Sequence, residues 1–178
     1  MTDTSRNPIA TLTAASSDQP VEIHLSNGLI ALVDADDLPL VSNYQWYGKR
    51  GRTTYYAVAY VRGSGKKHGK KVRMHRLILG APDGVFVDHI DGNGLNNRHS
   101  NLRLASPQEN EANSRGKGGT SCYKGVYRHA DGGWAAQIKV NRRSRHLGLF
   151  RTEEDAAWAY DRAAVLYFGT FARLNFPR

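Results

Sequence analysis

Apolar and polar residues alternate along short stretches of the chain, and glycine-containing turns separate these stretches. Residues 21–25 alternate, Asn27-Gly28 is a hairpin signal, and residues 29–33 follow as the partner strand. Residues 55–61, rich in aromatic and β-branched side chains, predict another strand. The pattern over residues 20–80 therefore indicates a small antiparallel sheet.

Three segments beside these strands give weaker signals. Residues 36–41 suggest a short turn of helix, and residues 72–79 fit either a strand or the start of a helix. Residues 63–71 form a basic, glycine-rich loop. Such a loop could lie along a phosphate backbone or could be a solvated hairpin tip, and the pattern supports both readings equally.

A strand–loop–strand–helix unit follows. Residues 85–90 predict an apolar strand, Asp91-Gly92-Asn93-Gly94 is strong turn chemistry, and residues 101–104 predict a second strand. A helix opens at residues 106–109, with serine as N-cap, proline at the first helical position and glutamate three residues after the cap.

A second alternating region begins near residue 123. Residues 123–129, 134–140 and 145–150 predict three antiparallel strands, with a turn at residues 141–144. Thr152 and the acids that follow predict the N-terminus of a helix, which runs to about Phe168 and ends at Gly169. We expect one stripe of that helix to face the sheet: Ala156, Ala159, Tyr160, Ala163 and Tyr167.

These elements predict an α+β fold with four parts. Residues 1–20 are expected to be a disordered tail. Residues 21–113 carry the small antiparallel N-terminal sheet and the ββα unit. Residues 114–121 are a flexible linker by composition. Residues 122–178 form a three-stranded antiparallel sheet packed on one helix.

Positive charge concentrates in the second half of the chain. The 178 residues carry a net charge of +9, and residues 115–178 alone hold 12 basic and 5 acidic residues. A polyanion is the natural partner for such a surface, and nucleic acid is the commonest polyanion. The plain alternative is a charge that serves solubility.

Cysteine count and hydropathy restrict the cellular compartment in which the protein is expected. Cys122 is the single cysteine, so no disulfide can form within the chain, which fits a reducing compartment. We find neither an apolar run near 18 residues nor a signal peptide, so the sequence indicates no membrane partner. The expected location is the cytoplasm.

The ββα unit carries groups suited to phosphodiester hydrolysis. His89 can take a proton from water, since a neutral imidazole titrates near working pH. Asp88 offers a carboxylate and Asn110, about one turn into the helix, offers an amide oxygen. Such oxygens suit Mg²⁺, or another divalent cation such as Mn²⁺, which would stabilise the charge of the reacting phosphate.

These residues resemble the HNH endonuclease family, and most closely its homing-type phage and bacterial enzymes. The matching motifs are Asp-His-Ile-Asp-Gly-Asn from Asp88, the pair Asn96-Asn97, and Asn-Leu-Arg from Asn101, with Met-His-Arg-Leu from Met74 upstream. The spacings are 12 residues from His89 to Asn101 and 9 from Asn101 to Asn110. The resemblance implies His89 as base, Asp88 and Asn110 as metal ligands, and Asn101 as the brace of the loop.

Other polar residues near this site have two interpretations. We interpret Asp91, Asn93, Asn96 and Asn97 as loop formers rather than ligands, because Asx side chains cap their own turns. His75 could be a structural hydrogen-bonding residue or a catalytic or phosphate-binding one. We take a group of nearby residues as candidate phosphate contacts: His75, Arg76, Arg103, Arg115 and Lys117.

Residues 121–178 resemble the plant APETALA/ethylene-response-factor DNA-binding domain. The matching motifs begin at Tyr123 (Tyr-Lys-Gly-Val), Trp134 (Trp-Ala-Ala-Gln-Ile), Leu147 (Leu-Gly-Leu-Phe) and Thr152 (Thr-Glu-Glu-Asp-Ala-Ala). In that family the three strands lie in the major groove, which implies a set of DNA-binding residues here: Lys124, Tyr127, His129, Gln137, Lys139, Arg145 and His146. Tyr127, Asp131 and His146 stand where the plant domains carry arginine or tryptophan, so the plant target sequence does not carry over.

Together these features predict a metal-dependent HNH endonuclease that nicks or cuts double-stranded DNA held by its C-terminal sheet. The main alternative is a non-cleaving, sequence-specific transcriptional regulator, and a further one is a protein-interaction module with incidental charge. The sequence leaves open the target site, monomer or homodimer, and whether residues 20–60 contact DNA.

Overall fold

The computed structural model describes residues 19–61, 69–116 and 118–177. The predicted tail up to residue 18, most of the basic glycine-rich loop, and Lys117 lie outside the described residues. Within the described ranges the strands are β1 (Val21–His24), β2 (Ile30–Val33), β3 (Tyr47–Arg50), β4 (Tyr55–Val61), β5 (Lys70–Arg73), β6 (Phe86–His89), β7 (Leu102–Ala105), β8 (Val126–Arg128), β9 (Trp134–Val140) and β10 (Arg143–Phe150). The α-helices there are α1 (Leu38–Val41), α2 (Met74–Ile78), α3 (Pro107–Ala112) and α4 (Glu153–Phe168). Small antiparallel sheets combined with a few helices confirm the predicted α+β class.

Two small sheets form the N-terminal region. β1 pairs with β2 around the predicted hairpin, and β3, β4 and β5 form a second antiparallel sheet in that order. Their inner faces cover a core that includes Val33, Trp46, Ala57 and Met74, all fully or almost fully buried. The Trp46 Nε1–H donates to the Val41 carbonyl at 2.8 Å, which satisfies the buried indole.

The ββα unit consists of β6, β7 and α3. β6 and β7 pair antiparallel, with Asp88 opposite Arg103 and His89 opposite Leu102. Asn101 ends a 3-10 turn before β7, so the predicted start of that strand was one residue early. The predicted capping box of α3 is present, with Ser106 Oγ accepting from the Glu109 N–H and Glu109 accepting from the Ser106 N–H.

β8, β9 and β10 form the C-terminal sheet, with β9 in the centre. The turn between β9 and β10 is shorter than the predicted one and consists of Asn141 and Arg142, with φ of 52° and 65°. Such positive φ values at both positions belong to tight two-residue hairpins, whose twist matches that of the strands. A register shift between His146 and Gly148 interrupts the β9–β10 ladder.

α4 covers one face of this sheet. Thr152 caps its N-terminus and Gly169, with φ of 52°, ends it as predicted. The buried stripe differs from the prediction at its end, because Phe168 is 9% exposed whereas Tyr167 is 39% exposed. The predicted stripe was therefore wrong at Tyr167. The aromatic residue that faces the core at the end of α4 is Phe168, the next residue in the chain.

The end of α3 contacts the C-terminal region. Ala112 is buried in one cluster with Ile138, Tyr160 and Phe168. The Ala112 carbonyl accepts a hydrogen bond from Lys124 Nζ and another from the Arg173 backbone N–H at 3.3 Å. The last turn of α3 therefore connects the ββα unit, to which it belongs, with the C-terminal sheet and helix. No helix among the described residues is long and apolar enough to cross a membrane.

Candidate active site

His89 ends strand β6 in a buried position, 5% exposed. Its Nε2 lies 3.4 Å from Oδ1 of Asn97, which is fully buried. The other end of the Asn97 amide, Nδ2, donates to the Leu95 carbonyl at 3.1 Å, so Oδ1 is the atom that faces the imidazole. Nε2 is then the protonated nitrogen of neutral His89, and Nδ1 is the nitrogen that can accept a proton.

Two further rings surround this imidazole. His75 lies edge-on to His89 with ring centroids 5.1 Å apart, and Tyr56 lies 5.8 Å from His89. Burial lowers the pKa of His89, and burial together with the nearby His89 lowers the pKa of His75 to about 3. Both rings are therefore neutral at pH 7, which is the form of a histidine that can accept a proton.

Asp88 points away from His89, as neighbouring residues on a strand do. Arg103 contacts its Oδ2 through Nε at 2.8 Å and Nη2 at 2.7 Å. The Asn113 amide donates to Oδ1 at 3.0 Å and to the His89 carbonyl at 2.8 Å. The buried carboxylate is thus held from β7 on one side and from the C-cap of α3 on the other.

Asn101 links both ends of the loop between β6 and β7. Its Oδ1 accepts from the Asp91 N–H at 3.0 Å, and its Nδ2 donates to the Asn96 carbonyl at 2.8 Å. Asp91 Oδ1 caps the Asn93 N–H at 2.7 Å, and Asn93 Oδ1 accepts from the Leu95 N–H at 3.1 Å. These local Asx bonds order the loop and place its ends beside His89.

Asn110 lies on α3 and lines a cavity together with His75. Asp88, the other predicted metal ligand, has Arg103 and Asn113 as its hydrogen-bonding partners. By donor chemistry each of the two residues suits Mg²⁺, since a carboxylate and an amide supply hard oxygen atoms. Asp88 is not among the residues that line the cavity with Asn110. Among the described residues no three His, Cys, Asp or Glu side chains cluster closely enough to hold a metal by themselves.

The cavity beside His75 has a volume of about 710 Å³ and a strongly basic lining. Tyr56 and Asn110 lie in its wall, and among the described residues that line it Asp83 is the single carboxylate. Burial lowers the pKa of Lys71, and repulsion by the neighbouring Arg73 and Lys49 lowers it further. The cationic side chains of the cavity therefore lie close to one another. Five cationic residues line the cavity: Lys49, Arg50, Lys71, Arg73 and Arg76.

The candidate phosphate contacts fall into different settings. Arg76 donates to the carbonyls of Ala81 at 3.1 Å and Pro82 at 2.8 Å, so it fastens the loop before β6 while lining the basic cavity. Arg103 is engaged with Asp88. Arg115 is exposed, and the predicted role of Lys117 concerns a residue outside the described ranges.

The strand register separates the predicted DNA-binding residues by face. Gln137 lies opposite His146, and Tyr127 lies opposite Ala135, so their side chains share the side of the sheet that carries Lys139. α4 covers the other side. The outer face therefore brings together Tyr127, Gln137, Lys139 and His146, and Tyr127, Gln137 and Lys139 line a cavity of about 1000 Å³ between this sheet and α3.

The remaining predicted DNA-binding residues lie elsewhere. Arg145 is opposite Ile138, on the α4 side, with its guanidinium 5.5 Å from the Tyr167 ring centroid. Lys124 directs Nζ to the carbonyl of Ala112 at the end of α3, and burial lowers its pKa to about 8. His129 follows β8 and lies 3.5 Å from the Asp131 carboxylate.

Sequence reasoning missed two polar residues of the site. Asn113 was given no role, although a second asparagine one helical turn after Asn110 was a visible signal. Asn97 was interpreted as a loop former, and its bond to His89 depends on a fold of the loop that spacing alone does not define.

Comparisons with known proteins identify the family of the region that contains this site. The family model described as HNH endonuclease matches residues 72–112, which span α2, the two strands and α3. An HNH endonuclease of Acanthamoeba polyphaga mimivirus, itself uncharacterised, is 39% identical over 155 residues, covering 83% of this chain and 75% of the viral protein. Protein 3.8 of Escherichia phage T7 is 34% identical over 122 residues, covering 65% of this chain and all of the phage protein.

The chain belongs to the HNH endonuclease family, and the match to the family model includes Asp88, His89 and α3. A different kind of relative matches a shorter part of the chain. Dehydration-responsive element-binding protein 2A of Arabidopsis thaliana is 49% identical over 70 residues, which are 36% of this chain and 21% of the plant protein. The chain thus spans about a fifth of the length of that relative.

Proposed function

We propose that this nuclease hydrolyses phosphodiester bonds in double-stranded DNA in a reaction that depends on a divalent cation, in the manner of homing-type HNH enzymes. Residues 21–113 would be the nuclease domain and residues 122–178 the DNA-binding domain, joined by residues 114–121. The observation that carries the proposal is the neutral, oriented His89, whose ring contacts those of His75 and Tyr56 in the wall of a cavity lined by cationic residues.

His89 is the general base in this proposal. Its Nδ1 takes the proton of the attacking water, while Asn97 holds Nε2 and Asn101 holds the loop. Asp88 and Asn110 would hold the divalent cation, which when bound screens the non-bridging oxygens and stabilises the leaving 3′-oxygen. The cationic cavity residues attract the phosphate backbone of the strand to be cut.

The outer face of the C-terminal sheet binds the duplex in this proposal. Three observations support it: the partial match to a DNA-binding plant protein, the net charge of +7 over residues 115–178, and the shared face of Gln137, Lys139 and His146. A sheet of this size fits the major groove, where base edges carry the most sequence information. The domain resembles the ethylene-response-factor class in this respect.

The test is cleavage of supercoiled plasmid with Mg²⁺ or Mn²⁺. We expect nicked or linear product from the wild type and none from His89→Ala. His24→Ala is the matched control, because His24 is an exposed histidine on β1, outside the proposed site. Appearance of nicked product before linear product would indicate one active site per binding event.

Three outcomes would contradict the proposal. Cleavage that persists in His89→Ala would remove histidine from the role of base. Tight retardation of duplex DNA without cleavage in either cation would favour a regulator that binds DNA and leaves it intact. Absence of both cleavage and retardation at low salt would favour a protein-interaction role.

A further inference from the structure

The Arg103 guanidinium joins the C-terminal region to the carboxylate of Asp88. Arg103 lies directly opposite Asp88 in the β6–β7 ladder and contacts Oδ2 with Nε at 2.8 Å and Nη2 at 2.7 Å. Its third nitrogen, Nη1, donates to the Thr170 carbonyl at 2.8 Å. Two nitrogens therefore hold the nuclease unit and one holds the turn that follows α4.

An aromatic ring fixes the same guanidinium from the C-terminal side. The Arg103 Cζ lies 3.8 Å from the centroid of the Phe171 ring, a favourable cation–π distance. Phe171 in turn packs against the cluster that contains Ile138, Tyr160 and Phe168. The position of the guanidinium is thus tied to the core of the C-terminal sheet and helix.

Asp88 has little freedom between its partners. Asn113 Nδ2 faces Oδ1 at 3.0 Å and Oδ2 at 3.1 Å, and both contacts are buried. The Asp88 side chain is 6% exposed and that of Arg103 is 17% exposed. With its three nitrogens engaged and its plane covered by Phe171, Arg103 is poorly placed to bind a phosphate.

We propose that Arg103 is a positioning residue that fixes the orientation of the Asp88 carboxylate, and that Thr170 and Phe171 hold Arg103 in place. The C-terminal region then contributes to the rate of cleavage as well as to the binding of DNA. This inference rests on the proposed roles of Asp88 and His89. The competing assignment, Arg103 as a phosphate clamp, predicts a change in KM instead of kcat.

Two substitutions at Phe171 provide a matched test, because the side chain is partly exposed and tolerates a change of shape. Phe171→Leu keeps apolar bulk but removes the ring, and we expect kcat on plasmid to fall about tenfold, the size of a good cation–π contact, with KM unchanged. Phe171→Tyr keeps the ring and should retain wild-type kcat.

A second substitution tests the guanidinium itself. Arg103→Lys keeps the charge, but one ammonium cannot reproduce the planar fork that serves Asp88 and Thr170 together. We expect a similar fall in kcat. Adding Phe171→Leu to Arg103→Lys should lower kcat by a smaller factor than Phe171→Leu lowers it in the wild type, because both residues act through the position of Asp88. Arg128→Lys, which alters a guanidinium 5.3 Å from the Trp134 ring centroid, is the control and should leave kcat unchanged.

A spectroscopic measurement tests the contact without cleavage. The NMR signal of the Arg103 Nε–H in the metal-free protein should carry a ring-current shift from Phe171. That shift should persist in Phe171→Tyr and disappear in Phe171→Leu.

The outcomes distinguish this inference from the proposed function. Cleavage by the wild type and its loss in His89→Ala, combined with unchanged kcat in Phe171→Leu, would overturn the inference alone. A change confined to KM in Arg103→Lys would also overturn it and assign Arg103 to phosphate binding. Failure of the wild type to cleave would contradict the proposed function itself.

Discussion

The buried Asn97 amide gives the His89 imidazole its hydrogen bond, while the rings of His75 and Tyr56 pack around it. Asn97 contacts Nε2 of His89 with one end and the Leu95 carbonyl with the other. A side chain in such a position cannot be replaced by a smaller one without freeing the imidazole to rotate. The consequence belongs to catalysis more than to stability, since a base must meet its water in a defined geometry.

We therefore expect Asn97→Ala to lower kcat about 10- to 100-fold, the range that small misplacements of catalytic groups produce. Loss of the bond to Leu95 should also lower the free energy of unfolding by about 1–3 kcal/mol. Plasmid nicking and urea denaturation measure the two effects. The control is Asn43→Ala, which removes an exposed amide that donates to the Pro39 carbonyl and should change neither kcat nor the free energy of unfolding. Equal kcat values in Asn97→Ala and Asn43→Ala would refute the role of Asn97.

Lys124 gives a prediction about pH. Burial lowers its pKa from 10.5 to about 8, so the unfolded chain binds more protons than the folded protein between about pH 8 and 10.5. Stability should therefore rise with pH through this window, relative to Lys124→Met, which lacks the titrating amine. Thermal denaturation of both proteins at pH 7.5 and pH 10 checks it, and a constant difference between them would contradict it.

The roles of single residues were predictable only where the chain itself fixes the neighbours. Asp88 and His89 are adjacent in sequence, and the capping box of Ser106 is a local motif. Asn113 contacts Asp88, from which it is separated by 25 positions in the sequence, and Arg103 contacts Thr170, 67 positions away. Such contacts arise from the packing of elements, which periodicity does not encode.

At the scale of elements, α3 supports more of the site than its six residues suggest. It carries Asn110 at the basic cavity, and its C-cap is Asn113, which contacts Asp88. A helix this short has little intrinsic stability, so its cap and its packing must hold it in place.

Removal of the α3 cap should therefore reduce activity. We expect Ser106→Ala and Thr152→Ala each to lower the free energy of unfolding by about 1 kcal/mol, the usual effect of losing an N-cap side chain. Only Ser106→Ala should lower kcat, since Thr152 caps α4, which carries none of the proposed catalytic groups. Denaturation curves and plasmid assays on both variants make the comparison, and equal kcat values would show that α3 needs no cap for function.

Strands with a clear alternation of apolar and polar residues were predicted well, whereas β3, which lacks it, was missed. β9 alternates and is buried on the predicted face through Ala136, Ile138 and Val140. β3, with the sequence Tyr-Gly-Lys-Arg, has no apolar alternation and forms because β4 offers it a partner. Residues 72–79 fitted two interpretations because β5 ends and α2 begins within them.

At the scale of the whole molecule, the charge distribution predicts how DNA binding depends on salt. Lys139 lies on the outer face of the C-terminal sheet, whereas Arg162 is exposed on α4, which packs against the opposite face. Lys139→Ala should weaken binding and reduce the slope of log affinity against log salt by about 0.9, the value for one phosphate contact. Arg162→Ala should leave the slope unchanged.

Fluorescence anisotropy with a labelled duplex at several salt concentrations measures these slopes. On saturating DNA, Lys139→Ala should still cleave at the wild-type rate, because Lys139 contacts none of the proposed catalytic groups and its one ion pair among the described residues, with Glu111 at 3.9 Å, joins two exposed side chains. A larger change in slope for Arg162→Ala than for Lys139→Ala would place the DNA on α4 rather than on the sheet.

The shared end of α3 has a consequence for protein engineering. The Ala112 carbonyl binds Lys124 and Arg173, so a boundary placed between residues 114 and 121 divides a joint that both regions use. A chimaera that exchanges residues 122–178 for another DNA-binding domain would remove both donors and also the Thr170–Phe171 turn. Retargeting this nuclease by domain exchange therefore requires grafting these contacts onto the new domain, whereas substitutions at Gln137 or His146 on the outer sheet face alter none of them.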